Sequence, residues 1–148
     1  TIKSTNTTPL VLMGYLNQML KYGEEKFCQK VVDCGIETLI IPDLPMVEYE
    51  NHYQALFEKY GLTNVFLITP NTEVERIQKI DSYTKDFIYV VASSSITGAK
   101  GEISTQQIAY FERIQAMGLK SKLIVGFRHQ FDQRELKSHD FIIKKAKL

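Results

Sequence analysis

The fold of this chain is limited most strongly by a regular alternation of short apolar runs with longer amphipathic segments. Each run has four or five residues, is made mainly of apolar and β-branched side chains, and ends at a turn or loop. Runs of this kind predict strands buried on both faces. They occupy residues 10–13, 38–41, 64–68, 87–91 and 122–125. Because amphipathic segments separate them, the pattern predicts a parallel α/β sheet.

Four segments have the 3.6-residue periodicity of amphipathic helices. They lie at residues 24–34, 47–60, 74–81 and 104–117. Gly35 follows the first at the position of a helix C-cap, and Thr72 is placed to cap the third. Ser104 and Gln107 stand at capping-box spacing where the fourth begins. The stretch that carries Asn17, after the first strand, is predicted to be a loop.

Length and charge narrow the class of protein. The 148 residues are enough for one domain with a hydrophobic core. Eighteen Lys and Arg balance seventeen Asp and Glu, and no basic block interleaves with aromatic residues. We therefore expect neither nucleic acid nor a membrane surface as a partner. The longest apolar runs fall far short of the roughly 20 residues that span a bilayer, so the sequence predicts a soluble protein.

Neither the cysteines nor the histidines have the spacing of a metal site. Cys28 and Cys34 are six residues apart and form no CxxC motif, which indicates reduced thiols in a cytoplasmic protein. His52, His129 and His139 are scattered along the chain. We expect no metal.

The ends of the predicted strands carry the candidate binding residues, because ligands of parallel α/β folds bind at the carboxyl edge of the sheet. Five segments meet this condition: Tyr15, residues 43–45, residues 69–71, residues 93–98 and residues 126–127.

The segment after the fourth strand has the composition of a phosphate-binding loop. Its hydroxyls and backbone N–H groups suit an anion, and Lys100 adds positive charge. An ordinary solvated loop is the alternative. Tyr89, within the fourth strand, is either a ligand contact or a core residue.

Several segments together resemble the tryptophan synthase alpha chain family. They are Pro9 to Asn17 (PLVLMGYLN), Leu39 to Pro45 (LIIPDLP), Thr69 to Thr72 (TPNT), Ser94 to Gly98 (SSITG) and Val125 to Phe127 (VGF). The resemblance covers about residues 8–127, in order and at the family's spacing. The MGYxN and PDLP segments are the most specific parts of it.

The resemblance implies part of a (β/α)8 barrel, here with about five parallel strands alternating with helices. It implies a lyase of tryptophan biosynthesis that cleaves indole-3-glycerol phosphate to indole and glyceraldehyde 3-phosphate. The family passes the indole to a beta chain within an alpha-beta-beta-alpha tetramer. Pyridoxal phosphate belongs to that beta chain, so no cofactor is expected here.

The resemblance also assigns roles to individual residues. Substrate contacts are expected from Tyr89, Tyr15 and Leu67, and phosphate contacts from Thr97, Gly98, Gly126 and Phe127. The side that faces the beta chain is expected to include Asn17, Asp43 and Pro45. For Tyr15 and Leu67 the alternative is core packing. For Asp43 the alternative is a carboxylate that binds backbone N–H groups.

The chain departs from the family at both ends. The family's catalytic glutamate and aspartate would precede Thr1, so we name no catalytic residue and expect the chain to begin within a longer gene product. The strands needed to close a barrel would also be missing, so we expect the isolated chain to be marginally stable, prone to association and inactive.

The tail differs from the family after Phe127. Arg128 stands where the family has glycine, so we expect a partial barrel domain over residues 1–127 and a divergent tail over residues 128–148. A single-base frameshift near Phe127 would explain this tail. The alternative is a natural C-terminal amphipathic helix built on Phe141, Ile142 and Ile143, with lysines beyond them.

Two other functions remain open from the sequence. One is a different phosphate-binding barrel enzyme, such as a relative of indole-3-glycerol phosphate synthase, against which the PDLP and MGYxN segments argue. The other is a catalytically inactive chain that docks on a beta subunit as a regulatory or structural partner.

Overall fold

The structure is a computed structural model that describes residues 9–92, 104–127 and 142–145. Two compact units divide the chain between Val65 and Phe66. In the described stretches, the first unit holds residues 9–65 and 142–145, and the second holds residues 66–92 and 104–127.

The elements follow the predicted alternation in outline, with an additional helix after the first strand, a third strand divided in two, and an additional strand near the C-terminus. The strands are β1 (Leu10–Met13), β2 (Thr38–Ile40), β3 (Thr63–Val65), β4 (Leu67–Ile68), β5 (Phe87–Ala92), β6 (Lys122–Phe127) and β7 (Ile142–Lys145). The helices are α1 (Leu16–Tyr22), α2 (Glu24–Asp33), α3 (Met46–Glu48), α4 (Gln54–Lys59), α5 (Val74–Tyr83) and α6 (Thr105–Ala116). A π-helical turn, Tyr49–Tyr53, joins α3 to α4.

The first unit is built on a sheet with the strand order β3-β2-β1-β7. Strands β1, β2 and β3 are parallel, and β7 runs antiparallel to β1. Met19, Cys28, Leu39 and Phe57 are among its most deeply buried side chains. The apolar stripes of the helices therefore contribute to this core together with the strands.

The second unit is a fully parallel sheet in the order β4-β5-β6. Alternate residues of the central strand β5 differ in burial. Ile88, Val90 and Ala92 are inaccessible or nearly so, whereas Phe87 and Tyr89 are only partly covered. Because successive strand residues point to opposite faces, one face of β5 belongs to the core and the other carries Tyr89.

These parallel strands and intervening helices confirm the predicted α/β class. The prediction of one strand over residues 64–68 is wrong, because the chain forms β3 and β4 with Phe66 between them. The two strands have different neighbours, since β3 pairs with β2 and β4 pairs with β5. A change of pairing partner cannot be detected from a continuous apolar run.

Three further local predictions are corrected. The stretch after β1 is the helix α1, not a loop. The proposed C-terminal helix is wrong for residues 142–145, which form β7. Thr72 does not cap α5, whose N-cap is Glu73; instead the Thr72 hydroxyl accepts a hydrogen bond from the Thr69 backbone N–H. Short segments like these depend on distant partners more than on their own propensity.

Among the helices of the described stretches, none combines the length and the apolar character that crossing a membrane requires.

Candidate functional site

Tyr89 lies near the middle of β5, on the partly covered face of the sheet. Its register partners are Leu67 on β4 and Ile124 on β6. Paired residues of a parallel sheet share a face, so these three side chains form a row across the sheet. Burial raises the pKa of the Tyr89 phenol above its ordinary value of 10.0. The phenol is therefore neutral near pH 7 and able to donate a hydrogen bond.

The Tyr89 side chain reaches along the sheet to Gly126 on β6. Gly126 is the register partner of Val91, two residues beyond Tyr89 toward the carboxyl end. A Cβ placed on Gly126 would overlap the Tyr89 Oη and Cζ and lie 2.7 Å from Cε2. Only a residue without a side chain leaves room for the ring in this position. The absence of a Cβ at 126 thus permits the phenol to lie in this position.

Leu67, Tyr89 and Gly126 are therefore brought together by the ladder of the second unit. Leu67 is partly buried and directly opposite Tyr89. An aliphatic side chain, an aromatic ring and a partly covered glycine backbone make a mainly apolar surface with one hydroxyl. Such a surface suits a planar aromatic ligand.

The phosphate-binding prediction is only partly covered by the described residues. Thr97 and Gly98 lie outside them. Phe127 ends β6, where its backbone pairs with Ala92. Gly126 and Phe127 are thus at the carboxyl end of β6, the edge at which ligands of parallel sheets bind.

The turn after β4 is closed by its own side chains. The Thr72 backbone N–H donates to the Thr69 carbonyl at 3.0 Å, and the Thr69 N–H donates to the Thr72 hydroxyl at 2.9 Å. The two hydroxyls are 3.2 Å apart. Pro70 and Asn71, at the tip, are exposed. This turn, one of the five candidate binding segments, is therefore closed by its own hydrogen bonds and does not cap α5.

Tyr15 belongs to the first unit, where it precedes α1 with an extended backbone. Its side chain is 56% exposed. Tyr15 is therefore not a core residue of the first unit, which was the alternative to a substrate contact.

Asp43 caps α1 from a distant part of the sequence. Its Oδ1 accepts a hydrogen bond from the Leu16 backbone N–H at 2.9 Å. Leu16 is the first residue of α1, and Tyr15, at the N-cap, supplies no side-chain bond. A carboxylate at a helix N-terminus satisfies an otherwise unpaired donor and interacts favourably with the helix dipole. Asp43 thus binds a backbone N–H, as its alternative interpretation stated.

The remaining residues of the predicted partner side are at the surface. Asn17 is exposed on α1, and Pro45 is exposed at the start of α3. The sequence prediction missed two exposed apolar residues on α1, Leu20 and Tyr22, each 53% exposed. A helix prediction for residues 16–22 would have identified them, but Gly14 and Tyr15 after the first strand favoured a loop.

A second group of titratable residues lies between α2 and the helical segment 46–59. Tyr53 donates a short hydrogen bond to Glu24, and His52 Nε2 lies 3.2 Å from the other Glu24 oxygen. The hydrogen bond from Tyr53 has the largest effect on Glu24 and lowers its pKa. Partial burial raises this pKa and His52 lowers it, and the net shift is downward. Next to it, Glu25 accepts from Lys59 at 3.0 Å and from Tyr60 at 3.2 Å. These contacts join two helices of the first unit.

No cluster of three or more His, Cys, Asp or Glu in the described stretches has the arrangement of a metal site. Both cysteines are free, and Cys28 is fully buried. Burial raises the pKa of the Cys28 thiol to about 11. Cys28 is therefore an inert core thiol at neutral pH.

The chain matches known proteins over most of its length. A model of the family described as tryptophan synthase alpha chain matches residues 1–134. The tryptophan synthase alpha chain of Flavobacterium johnsoniae is 53% identical over 126 residues, which are 85% of this chain and 50% of the relative. The corresponding protein of Bacteroides thetaiotaomicron is 47% identical over 126 residues, covering 85% of this chain and 49% of the relative.

Solved structures agree with the sequence matches. The tryptophan synthase α2β2 complex of Pyrococcus furiosus contains a chain that matches with a TM-score of 0.74 and 31% identity. The match covers 83% of this chain and 49% of that one. The chain thus spans about half the length of the relatives it matches, and its fold is part of their (β/α)8 barrel.

Proposed function

The chain belongs to the tryptophan synthase alpha chain family, and from this membership we propose that the whole protein cleaves indole-3-glycerol phosphate. The products are indole and glyceraldehyde 3-phosphate, formed by breaking the carbon–carbon bond between indole C3 and the glycerol chain. This is a lyase reaction of tryptophan biosynthesis. The residues of this chain contribute to binding the substrate and the partner.

The observation that carries the substrate proposal is the position of the Tyr89 ring over Gly126 and beside Leu67. In the proposal, the indole ring lies against this surface, with Leu67 and Tyr89 as its apolar walls. Tyr15 is proposed as a further contact. The Tyr89 hydroxyl is protonated at neutral pH, so it serves as a hydrogen-bond donor or acceptor, not as a charge.

The phosphate of the substrate is proposed to bind at the carboxyl ends of β5 and β6. Thr97 and Gly98 follow β5, and Gly126 and Phe127 end β6. Hydroxyls and unencumbered backbone N–H groups are suited to phosphate oxygens. The resemblance of the SSITG and VGF segments to the family supports this assignment.

The proton transfers of the reaction need groups that this chain does not provide at matching positions. Cleavage requires an acid that protonates indole C3 and a base that takes a proton from the indole nitrogen or the glycerol hydroxyl. Asp43, the first carboxylate to consider, already accepts the Leu16 N–H. We therefore assign substrate binding to this chain and no catalytic residue.

We propose a beta chain as the partner, bound on the side that includes Asn17, Asp43 and Pro45. The exposed Leu20 and Tyr22 on α1 support this, because aromatic and aliphatic side chains supply much of the binding energy of interfaces. Asp43 fixes the start of α1 and so contributes to presenting these residues. Pyridoxal phosphate would belong to the beta chain. The free cysteines support a cytoplasmic location.

Indole binding gives the most direct test of the substrate site. The chain contains no tryptophan, so the fluorescence of added indole is measured without protein indole in the background. We expect saturable binding that Tyr89→Phe retains, because the ring remains, and that Tyr89→Ala weakens about tenfold, as expected for a lost aromatic contact. Unchanged affinity in Tyr89→Ala would contradict the proposed site.

Cleavage is tested by indole release from indole-3-glycerol phosphate, with and without a beta chain from a relative. We expect no release by the 148 residues alone. We expect release when they are joined to the upstream and downstream segments of the Flavobacterium johnsoniae relative. Turnover by the 148 residues alone would mean that a carboxylate present here performs the proton transfer. Capture of the beta chain by that joined protein without cleavage would favour a docking role instead.

A further inference from the structure

We propose that Arg113 is a positioning residue that holds the turn at the carboxyl end of β4, residues 69–72, beside the substrate surface. The effect on indole binding rests on the proposed function, whereas the effect on the turn itself is tested separately. Arg113 is on α6, more than 40 residues further along the chain than the turn.

The contacts of Arg113 are with backbone carbonyls of the turn. Its Nη2 donates to the Pro70 carbonyl at 2.9 Å and to the Thr72 carbonyl at 3.4 Å. The guanidinium carbon also lies 5.6 Å from the centre of the Tyr110 ring, one helical turn earlier on α6. One nitrogen of the guanidinium thus bridges two acceptors of the same turn while an aromatic ring supports the group from α6.

The bonds from Arg113 add to the internal bonds of the turn, which use other groups. Thr69 and Thr72 close the turn through the Thr69 carbonyl and the two hydroxyls. The Pro70 and Thr72 carbonyls take no part in this closure, and Arg113 binds both. Within the described part of the chain, Arg113 forms no ion pair with a carboxylate. Its hydrogen-bonding capacity is therefore directed to the geometry of the turn.

The turn follows the substrate surface directly. Leu67 is two residues before Thr69, and it pairs with Tyr89 in the sheet. The orientation of the turn decides where the carbonyl edge after Leu67 and the exposed tip at Pro70 and Asn71 lie. A residue on α6 thus controls a rim of the site that is contributed by β4. Small displacements of binding groups lower affinity even when the fold is unchanged.

The test uses Arg113→Ala, Arg113→Lys and the control Arg76→Ala in the full chain. Arg76 is exposed on α5, and its side chain has no hydrogen bond or ion pair to another described residue. The first measurement is amide hydrogen exchange in the peptide that covers residues 69–72. We expect faster exchange in Arg113→Ala, partial protection in Arg113→Lys, whose ammonium replaces the guanidinium, and no change in Arg76→Ala.

The second measurement is indole affinity, followed by indole fluorescence together with the melting temperature. We expect Arg113→Ala to weaken indole binding about fivefold, the size of one ordinary hydrogen bond, with a melting temperature equal to that of Arg76→Ala. Arg113→Lys should recover part of the affinity. A loss of affinity that only follows a loss of stability would overturn the positioning role.

The two measurements separate the two proposals. Exchange in Arg113→Ala equal to that of the unmodified chain overturns the positioning proposal, whatever the affinity. Absence of indole binding by the unmodified chain overturns the substrate proposal, while the exchange measurement still decides whether Arg113 holds the turn. Faster exchange with unchanged indole affinity would show that the turn is held but has no part in binding.

Discussion

The Tyr89 ring on β5 covers the bare Cα of Gly126 on the neighbouring strand β6. Any Cβ at position 126 would overlap the Tyr89 Oη and Cζ. The two residues are not register partners, since Tyr89 pairs with Ile124 and Gly126 with Val91. Their contact arises because the tyrosine side chain extends along the strand direction, as aromatic side chains in strands do.

This contact predicts a specific coupling between two substitutions. Gly126→Ala should destabilise the second unit by about 1–3 kcal/mol, the cost of overpacking. Adding Tyr89→Ala should remove most of the penalty caused by the new methyl group, because the obstructing atoms are absent. Tyr89→Phe is the matched control: it removes Oη but keeps Cζ, so it should not relieve Gly126→Ala. Urea unfolding of the single and double variants measures the coupling, and additive effects in Tyr89→Ala with Gly126→Ala would refute it.

Glu24 predicts a loss of stability in acid. The Tyr53 hydrogen bond and His52 lower its pKa below the ordinary value of 4.5. A lowered folded-state pKa means that the stabilisation is present above the unfolded pKa and is lost as the pH falls through the folded value. Glu24→Gln should therefore cost about 1 kcal/mol at pH 7 and flatten the pH dependence below 4.5.

The control for that experiment is Glu112→Gln, at an exposed site in the second half of α6, away from a helix N-terminus. It should leave both the stability at pH 7 and the acid slope unchanged. Denaturant unfolding at a series of pH values between 3 and 7 gives both quantities. If Glu24→Gln and the unmodified chain lose stability in parallel as the pH falls, the Tyr53 and His52 contacts do not stabilise the carboxylate.

Asp43 should stabilise α1 through its bond to the Leu16 N–H. Asp43→Ala removes the acceptor and should cost about 1 kcal/mol, as for other N-terminal caps. Asp43→Asn keeps an acceptor oxygen and loses only the charge, so its effect should be smaller. Amide exchange of residues 16–22 compares the two variants. Equal protection of α1 in Asp43→Ala and the unmodified chain would show that the helix does not depend on this carboxylate.

Ser104 should stabilise α6 in the same way. Its hydroxyl accepts a hydrogen bond from the Gln107 N–H at 3.2 Å. Ser104→Ala should destabilise the second unit by about 1 kcal/mol. Ser104→Asp retains an acceptor and places a negative charge at the helix N-terminus, so its stability should match or exceed that of the unmodified chain. Helical circular dichroism during thermal unfolding ranks the three proteins, and a stability of Ser104→Asp below that of Ser104→Ala would contradict the capping role.

The sequence by itself determined the elements whose signals are local. Helix α2 and its stop were predictable because the apolar residues repeat at helical spacing and Gly35 adopts the positive φ of 75° that L side chains disfavour. The cap of α6 was predictable because Ser104 and Gln107 are three residues apart. Such features depend on a few consecutive residues, so the local sequence is enough to predict them.

Only the tertiary structure decided the features that join distant parts of the chain. Residues 64–68 are one apolar run, but Phe66 separates two strands because each has a different neighbour. The helix α1 begins where Asp43, 27 residues later, meets the Leu16 N–H. From the sequence, Gly126 was only a glycine at the end of a strand. The sheet register places the Tyr89 ring over it. Register and packing fix these contacts, and neither is encoded in the local pattern of apolar and polar residues.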